Sequence, residues 1–161
     1  PAEVLRRAEQ WFRVSPLPAG SVVDALDAVA ATAGMCRGVV VYAGGMLGYS
    51  LLELRDTQAL SGCPYAAESP ARHLAATIFG HGLLASVLAA SVTVDVAYTS
   101  DALVAVRSVD AGVHRLAGLL PGVLVDELMS VVNAGERMPP KSTYFWPKPL
   151  TGMVLRSLRC F

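Results

Sequence analysis

The stretch GERMPPKS, residues 135–142, has nearly the spacing of a phosphate-binding P-loop. Four residues separate Gly135 from Pro140, Lys141 and Ser142, so a proline stands where the motif has its second glycine. A P-loop binds phosphate through backbone N–H groups, whereas proline has no N–H and a fixed negative φ. The stretch also follows a predicted helix, although a P-loop follows a strand and begins a helix. We therefore reject a P-loop here.

The same segment can bind an anion in another way. Prolines on both sides stiffen the chain, so a loop that displays one cation and two hydroxyls loses little entropy when it is ordered. Such a loop suits a phosphate or a carboxylate. The predicted anion-binding residues are Lys141, Ser142 and Thr143, with added charge from Arg137 and Lys148.

The alternative role of this segment is structural. In this clasp hypothesis the prolines set the path of the chain, the aromatic residues 144–146 pack on the core, and Lys141 is solvated. Burial of aromatic side chains dominates packing energetics, which favours the clasp. In either case we expect residues 138–149 to form an ordered loop that leads into a strand.

The other residues that could carry chemistry define no site. They are the histidines His73, His81 and His114 and the cysteines Cys36, Cys63 and Cys160. Their spacing matches neither a metal site nor a disulfide framework, and we expect neither. His81, which lies between two glycines, could act as a general base in a cleft, but a lone histidine defines no catalytic geometry. The sequence identifies no catalytic residue and no cofactor.

Composition limits the classes of protein to which this chain can belong. The chain has 161 residues, enough for one sizeable core, and 13 basic residues balance 13 acidic ones. Without a basic run, no nucleic-acid surface is expected. Residues 74–94 are long enough to span a membrane, but the central His81 and a helical apolar stripe favour a half-buried helix. We expect a cytoplasmic protein without a membrane segment.

Hydrophobic periodicity predicts interleaved helices and strands. The predicted helices cover residues 2–12, 21–34, 99–112 and 122–135, with a helical turn at 56–61. The predicted strands cover two runs within 36–55, joined at Gly44-Gly45 as a hairpin, and residues 91–98 and 113–120. Ser21 and Asp24 mark the second helix with a capping box. We expect parallel pairing within the unit 92–120 and, over residues 1–161, a single mixed-sheet α/β domain with interleaved helices and at least one β-hairpin.

Residues 134–158, AGERMPPKSTYFWPKPLTGMVLRSL, resemble the C-terminal signature of a bacterial domain-of-unknown-function family. Its members end in a similar MPPKST, aromatic, Pro-Lys, Thr-Gly run, and looser agreement covers the hairpin and residues 94–106 and 119–136. Typical members also carry an earlier Asp-Gly-His-His-Arg-type segment, which loosely resembles ParB/sulfiredoxin-fold serine kinases. This chain lacks that motif, and it has Ala75 where the family tends to have Asp. The resemblance implies that the chain is the C-terminal part of a longer protein.

Two functions follow as hypotheses. The first is the C-terminal half of a cytoplasmic small-molecule enzyme of phosphotransferase type, inactive alone. It contributes Lys141, Ser142 and Thr143 to a site for a small anionic ligand, which a missing N-terminal half or a partner chain completes. The second is a non-catalytic packing or oligomerisation domain.

Overall fold

A computed structural model of the chain describes residues 1–31, 38–88 and 95–143. Helices α1 to α5 cover Ala2–Ala8, Val22–Ala30, Ala75–Thr77, Ala102–Asp110 and Val125–Asn133. Strands β1 to β4 cover Phe12–Leu17, Gly38–Tyr42, Tyr49–Leu54 and Ala117–Leu119. Short 3-10 turns cover Thr57–Leu60 and Pro70–His73, and a π-helix covers Ile78–Leu88. The expected α/β class with interleaved helices is confirmed.

The four described strands form one sheet in the order β1-β3-β2-β4, and each of their pairings is antiparallel. The predicted hairpin is β2 and β3. The connection is longer than the predicted Gly44-Gly45 turn: it runs from residue 43 to 48, and its glycines with positive φ are Gly44, at 90°, and Gly48, at 61°. The Gly48 N–H donates to the Gly44 carbonyl at 2.8 Å, which closes the turn. Because glycine adopts positive φ without a steric penalty, these two positions fix the hairpin.

The first helix is shorter than predicted. Helix α1 ends at Ala8, and Phe12, which we expected at the end of that helix, begins strand β1. The apolar stripe that suggested a helix instead buries Phe12 completely, where it pairs with Leu54 of β3. Pro16 lies in β1, which is at the edge of the sheet that the described strands form, and proline is tolerated in edge strands.

The strand predicted at residues 91–98 is not found in its described part. Residues 95–99 have no regular secondary structure, and 91–94 lie outside the described residues. Of the alternating side chains that suggested the strand, Val96 is half-buried and Tyr98 is exposed, so together they do not supply a buried face. Strand β4 pairs antiparallel with β2, and the parallel pairing expected for the unit 92–120 does not occur among the described strands.

Strand β2 lies at the centre of a three-layer arrangement. Val39 and Val41 contribute to a core with α1 and the π-helix, whereas Val40 and Tyr42 contribute to a core with α2 and α4. Alternate side chains of a strand point to opposite faces, and both faces of β2 are covered by helices. This double burial explains why the run GVVVY is apolar without alternation.

The ends of the helices follow local signals. Ser21 and Asp24 form the predicted capping box of α2, and the predicted exit at Gly34 lies outside the described residues. Helix α4 is capped by the side chain of Asp101. Gly135, with a φ of 71°, ends α5 as predicted.

The segment expected as a buried helix, residues 74–94, is helical over its described part, in α3 and the π-helix. It packs closely on the sheet, since a Cβ added at Gly118 of β4 would overlap the ring of Phe79. Within the described ranges, no helix combines the length and apolarity that crossing a bilayer requires.

Candidate functional site

Helix α5 packs against the turn Pro70–His73 and so brings two distant parts of the chain together. Ala71, Leu74 and Val131 are buried at this contact. Tyr65 and Met138 pack at its edges, and burial raises the pKa of the Tyr65 phenol. We call this contact the α5 seam: residues 69–74, helix α5, and residues 136–139. The predicted anion-binding loop begins at this seam.

Ser69 and Glu136 hold the seam together. The buried Ser69 hydroxyl donates a hydrogen bond to the Glu136 carboxylate. Glu136 is fixed by its backbone as well, because its N–H donates to the Val131 carbonyl at 3.1 Å while Gly135 N–H donates to the Val132 carbonyl at 3.0 Å. These two bonds form a Schellman motif, a common way to end a helix. Gly135 therefore serves as the end of α5, which explains the first glycine of the P-loop-like spacing.

The chain after Glu136 enters a tight turn. Pro139 is buried, and the Ser142 N–H donates to the Pro139 carbonyl at 3.3 Å, which closes a four-residue turn. Its central residues are Pro140, whose ring fixes a negative φ, and Lys141, with a φ of 60°. That combination matches a type II turn, in which the third position favours glycine. Lys141 is the one described residue other than glycine with a positive φ.

The predicted anion-binding residues differ in whether they still have a hydrogen-bond donor to offer an anion. The Ser142 hydroxyl donates to the Pro139 carbonyl at 2.7 Å, so its proton is used within the turn. Lys141, Thr143 and Arg137 are exposed, and the placement of Lys148 lies outside the described residues. Lys141 and Ser142 lie on the turn, and Thr143 directly follows it. Anion binding by these residues stays a prediction.

Part of the clasp hypothesis is visible in the same loop. Met138 packs on the seam and Pro139 is buried, so the first half of the loop is held by apolar contacts. The packing expected for aromatic residues 144–146 lies outside the described residues. The loop therefore combines an anchored first half with an exposed lysine at its tip.

A small open cavity of about 190 Å³ lies on the α5 seam. Its lining residues are Pro70, His73, Leu74, Glu127 and Ser130. The sequence alone did not reveal this cavity, because His73 is far from the other two polar residues in the chain. A partial signal existed: Glu127 and Ser130 are three residues apart on a predicted helix, and such residues share a face.

Among the residues that the structure describes, the other histidines and Cys63 do not gather into a site. His114 Nδ1 lies 3.1 Å from the Ser108 hydroxyl, and the described residues contain no group of three side chains suited to a metal ion. Cys63 is a free thiol; the Arg72 guanidinium lies 3.3 Å from its Sγ and donates to the Tyr65 carbonyl at 3.0 Å. These contacts tie the loop before Ser69 to the seam.

Comparison with family models, curated proteins and solved structures finds no match for this chain.

Proposed function

We propose that this chain is the C-terminal half of a cytoplasmic small-molecule enzyme of phosphotransferase type, and that it is not active alone. The proposal rests on the resemblance of residues 134–158 to the bacterial family and its serine-kinase-like first half, together with the geometry of the loop. The free Cys63 thiol accords with a reducing compartment. The other half, in the same chain or in a partner, supplies the rest of the site.

The observation that carries the proposal is the backbone of Lys141. A positive φ is sterically unfavourable for a long side chain such as that of lysine, and residues held in such a conformation cluster at functional sites. The turn is fixed by Ser142, by the buried Pro139 and, through the seam, by the bond between Ser69 and Glu136. A lysine at the tip of such a turn presents its ammonium with little backbone entropy left to lose on binding.

The roles of the loop residues follow from their remaining hydrogen-bond capacity. The Lys141 ammonium pairs with a phosphate or carboxylate oxygen, and the Thr143 hydroxyl donates a second hydrogen bond. Arg137 and Lys148 add positive charge. Ser142 holds the turn rather than the anion, because its proton is already given to Pro139.

The test of this proposal is turnover by the isolated chain. Purified protein is incubated with ATP and a panel of small hydroxyl compounds, and release of ADP is followed. We expect no turnover above that of buffer. Robust turnover that disappears in Lys141→Ala shows that the 161 residues form a complete site, which contradicts the proposal that another half is needed.

The second candidate function, a packing or oligomerisation domain, is favoured by one face of α5. Val125, Met129 and Val132 follow the i, i+4, i+7 spacing of a single helix face, and they are 73%, 47% and 54% exposed. Uncovered apolar stripes of this kind often mark an interface. On this candidate, the face packs on the same face of a second copy of the chain.

Sedimentation velocity separates the two candidates. Self-association that is lost in Met129→Lys, but kept in the control Val113→Lys, supports the oligomerisation domain, since Val113 is also exposed but is not part of α5. A monomer at all concentrations up to about 100 μM contradicts it, because interfaces of ordinary affinity are formed well below that level.

A further inference from the structure

We propose that the cavity on the α5 seam binds a primary ammonium group carried on a short apolar stem. This site is separate from the lysine loop and prefers the opposite charge. The inference rests on which hydrogen-bond atoms of the lining residues are already used and which remain open to a ligand.

The two polar side chains that α5 contributes offer acceptors. Glu127 Oε2 accepts the Leu124 N–H at 2.8 Å, which fixes the carboxylate and leaves Oε1 for a ligand. The Ser130 hydroxyl donates to the Asp126 carbonyl at 2.7 Å. Because its single proton is used there, Ser130 Oγ can offer a ligand only its lone pairs. One of these two acceptors carries a full negative charge.

The rest of the lining sets the shape and polarity of the ligand. Pro70 has no N–H to donate, and the Leu74 side chain is apolar. His73 completes the lining. The lining contains a carboxylate and a hydroxyl oxygen, which disfavour a phosphate or carboxylate ligand. They favour a cation with several hydrogen-bond donors. An ammonium group has three donors and no acceptor, so it satisfies both oxygens.

The size of the cavity limits the stem. About 190 Å³ accommodates roughly six water-sized groups, given about 30 Å³ for each water in the liquid. A chain of about four carbons with a terminal ammonium fills this space, with its methylenes against Pro70 and Leu74. The n-butylammonium ion is therefore a suitable probe.

The experiment is an amide NMR titration of the full chain at about pH 8. The probe is n-butylammonium chloride, which stays charged because alkylammonium groups titrate near pKa 10.4. Parallel titrations use n-butanol, sodium phosphate, and sodium chloride at matched ionic strength. We expect saturable shifts at the lining amides with a Kd on the order of millimolar, as for a ligand of five heavy atoms. Butanol and phosphate should give none at these amides.

The decisive variant is Glu127→Gln, which keeps an oxygen for the Leu124 N–H but removes the charge. It should weaken butylammonium binding about tenfold or more, because a charge-assisted hydrogen bond becomes a neutral one. Asp24→Asn, the same type of change at the same capping position of α2, is the control and should leave binding unchanged. If Glu127→Gln does not fold, Ser130→Ala gives the second test, with an expected loss of a few-fold.

Three results would overturn the proposal. The first is no saturable shift up to about 100 mM butylammonium, far above the expected Kd. The second is equal affinity of the wild type and Glu127→Gln. The third is binding of butanol or phosphate at the same amides with comparable affinity, because either would show that the carboxylate does not select the ligand.

Discussion

The buried hydroxyl of Ser69 donates a hydrogen bond to the carboxylate of Glu136, although the two residues are 67 positions apart in the chain. This bond joins the residue before Pro70 to the last residue of the Schellman motif that ends α5. It therefore fixes both the lining of the cavity and the start of the loop that carries Lys141. The two proposed ligand sites depend on one seam.

Removing the Ser69 hydroxyl should weaken this seam. Ser69→Ala leaves the half-buried Glu136 carboxylate without that donor, and we expect the free energy of unfolding to fall by about 1.5–3 kcal/mol, as for hydrogen bonds to charged groups. Urea denaturation measures the change. The control Ser130→Ala removes an exposed hydroxyl that bonds within its own helix, so its effect should stay within about 0.5 kcal/mol. Equal effects of the two variants would contradict a special role for Ser69.

A second long-range hydrogen bond joins the sheet to α4. The Tyr42 hydroxyl donates to Asp110 Oδ1 at 2.6 Å, and its ring lies 4.6 Å from that of Tyr49. The hydrogen bond to Asp110 and burial raise the pKa of Tyr42 from 10.0 to about 12. Because the raised pKa favours the neutral phenol in the folded state, its contribution to stability is complete below about pH 10. It is lost as the pH rises through about 12.

Tyr42→Phe tests this linkage. At neutral pH the variant should lose about 1–2 kcal/mol of unfolding free energy, since Asp110 is exposed and its bond is partly solvated. The gap between wild type and variant should narrow as the pH rises from 10 towards 12. Tyrosinate absorbance should show that the variant lacks the group titrating near pH 12. A constant gap across that range is inconsistent with the assigned cause.

The packing of the π-helix on the sheet depends on Gly118. A methyl group at this position would overlap the Phe79 ring, so Gly118→Ala should cost about 1–3 kcal/mol, as for other overpacked cores. The control is Gly122→Ala, because a Cβ at Gly122 meets nothing within 4 Å. The double variant Gly118→Ala/Phe79→Leu should recover part of the stability that Gly118→Ala loses, because the smaller side chain leaves room for the added methyl group. Thermal unfolding of the four proteins measures these effects, and an unchanged Gly118→Ala would show that the helix is not so closely packed.

Sequence signals of short range predicted much of this fold. The Ser21–Asp24 capping box, the glycine turn of the β2–β3 hairpin and the glycine end of α5 each depend on residues within a few positions. Strand β1 was missed in part because Phe12, its first residue, also fits the apolar stripe of the helix predicted over residues 2–12. Its identity is decided by pairing with β3, a partner far along the chain.

In the candidate site, too, local features could be predicted from the sequence and long-range contacts could not. The sequence singled out Lys141, and its exposed position on a turn agrees with that choice. Sequence could not indicate that the Ser142 proton is used by Pro139, because a side-chain rotamer decides this. The cavity was missed because His73 and Glu127 meet through tertiary packing, which no local pattern encodes.

The positive φ of Lys141 predicts an unusual effect of glycine on stability. Lys141→Gly removes a side chain from a conformation that favours glycine, but it also adds entropy to the unfolded chain. The net effect should be a rise of about 0.5–1 kcal/mol in the unfolding free energy. Lys141→Ala keeps a Cβ and should leave stability nearly unchanged. Denaturant midpoints measure both. A loss of stability in Lys141→Gly would contradict the positive φ assigned to this residue.

Phosphate titration of the wild type and Lys141→Gly, followed by amide NMR, tests the central claim most directly. The glycine variant keeps the turn, so a change in binding reports the ammonium rather than the fold. We expect saturable shifts at residues 141–143 in the wild type, with a Kd on the order of millimolar, retention in Lys141→Arg and loss in Lys141→Gly. Identical titrations of the wild type and Lys141→Gly, or no saturable shift at these residues in the wild type, would contradict an anion site and leave the loop as a structural clasp.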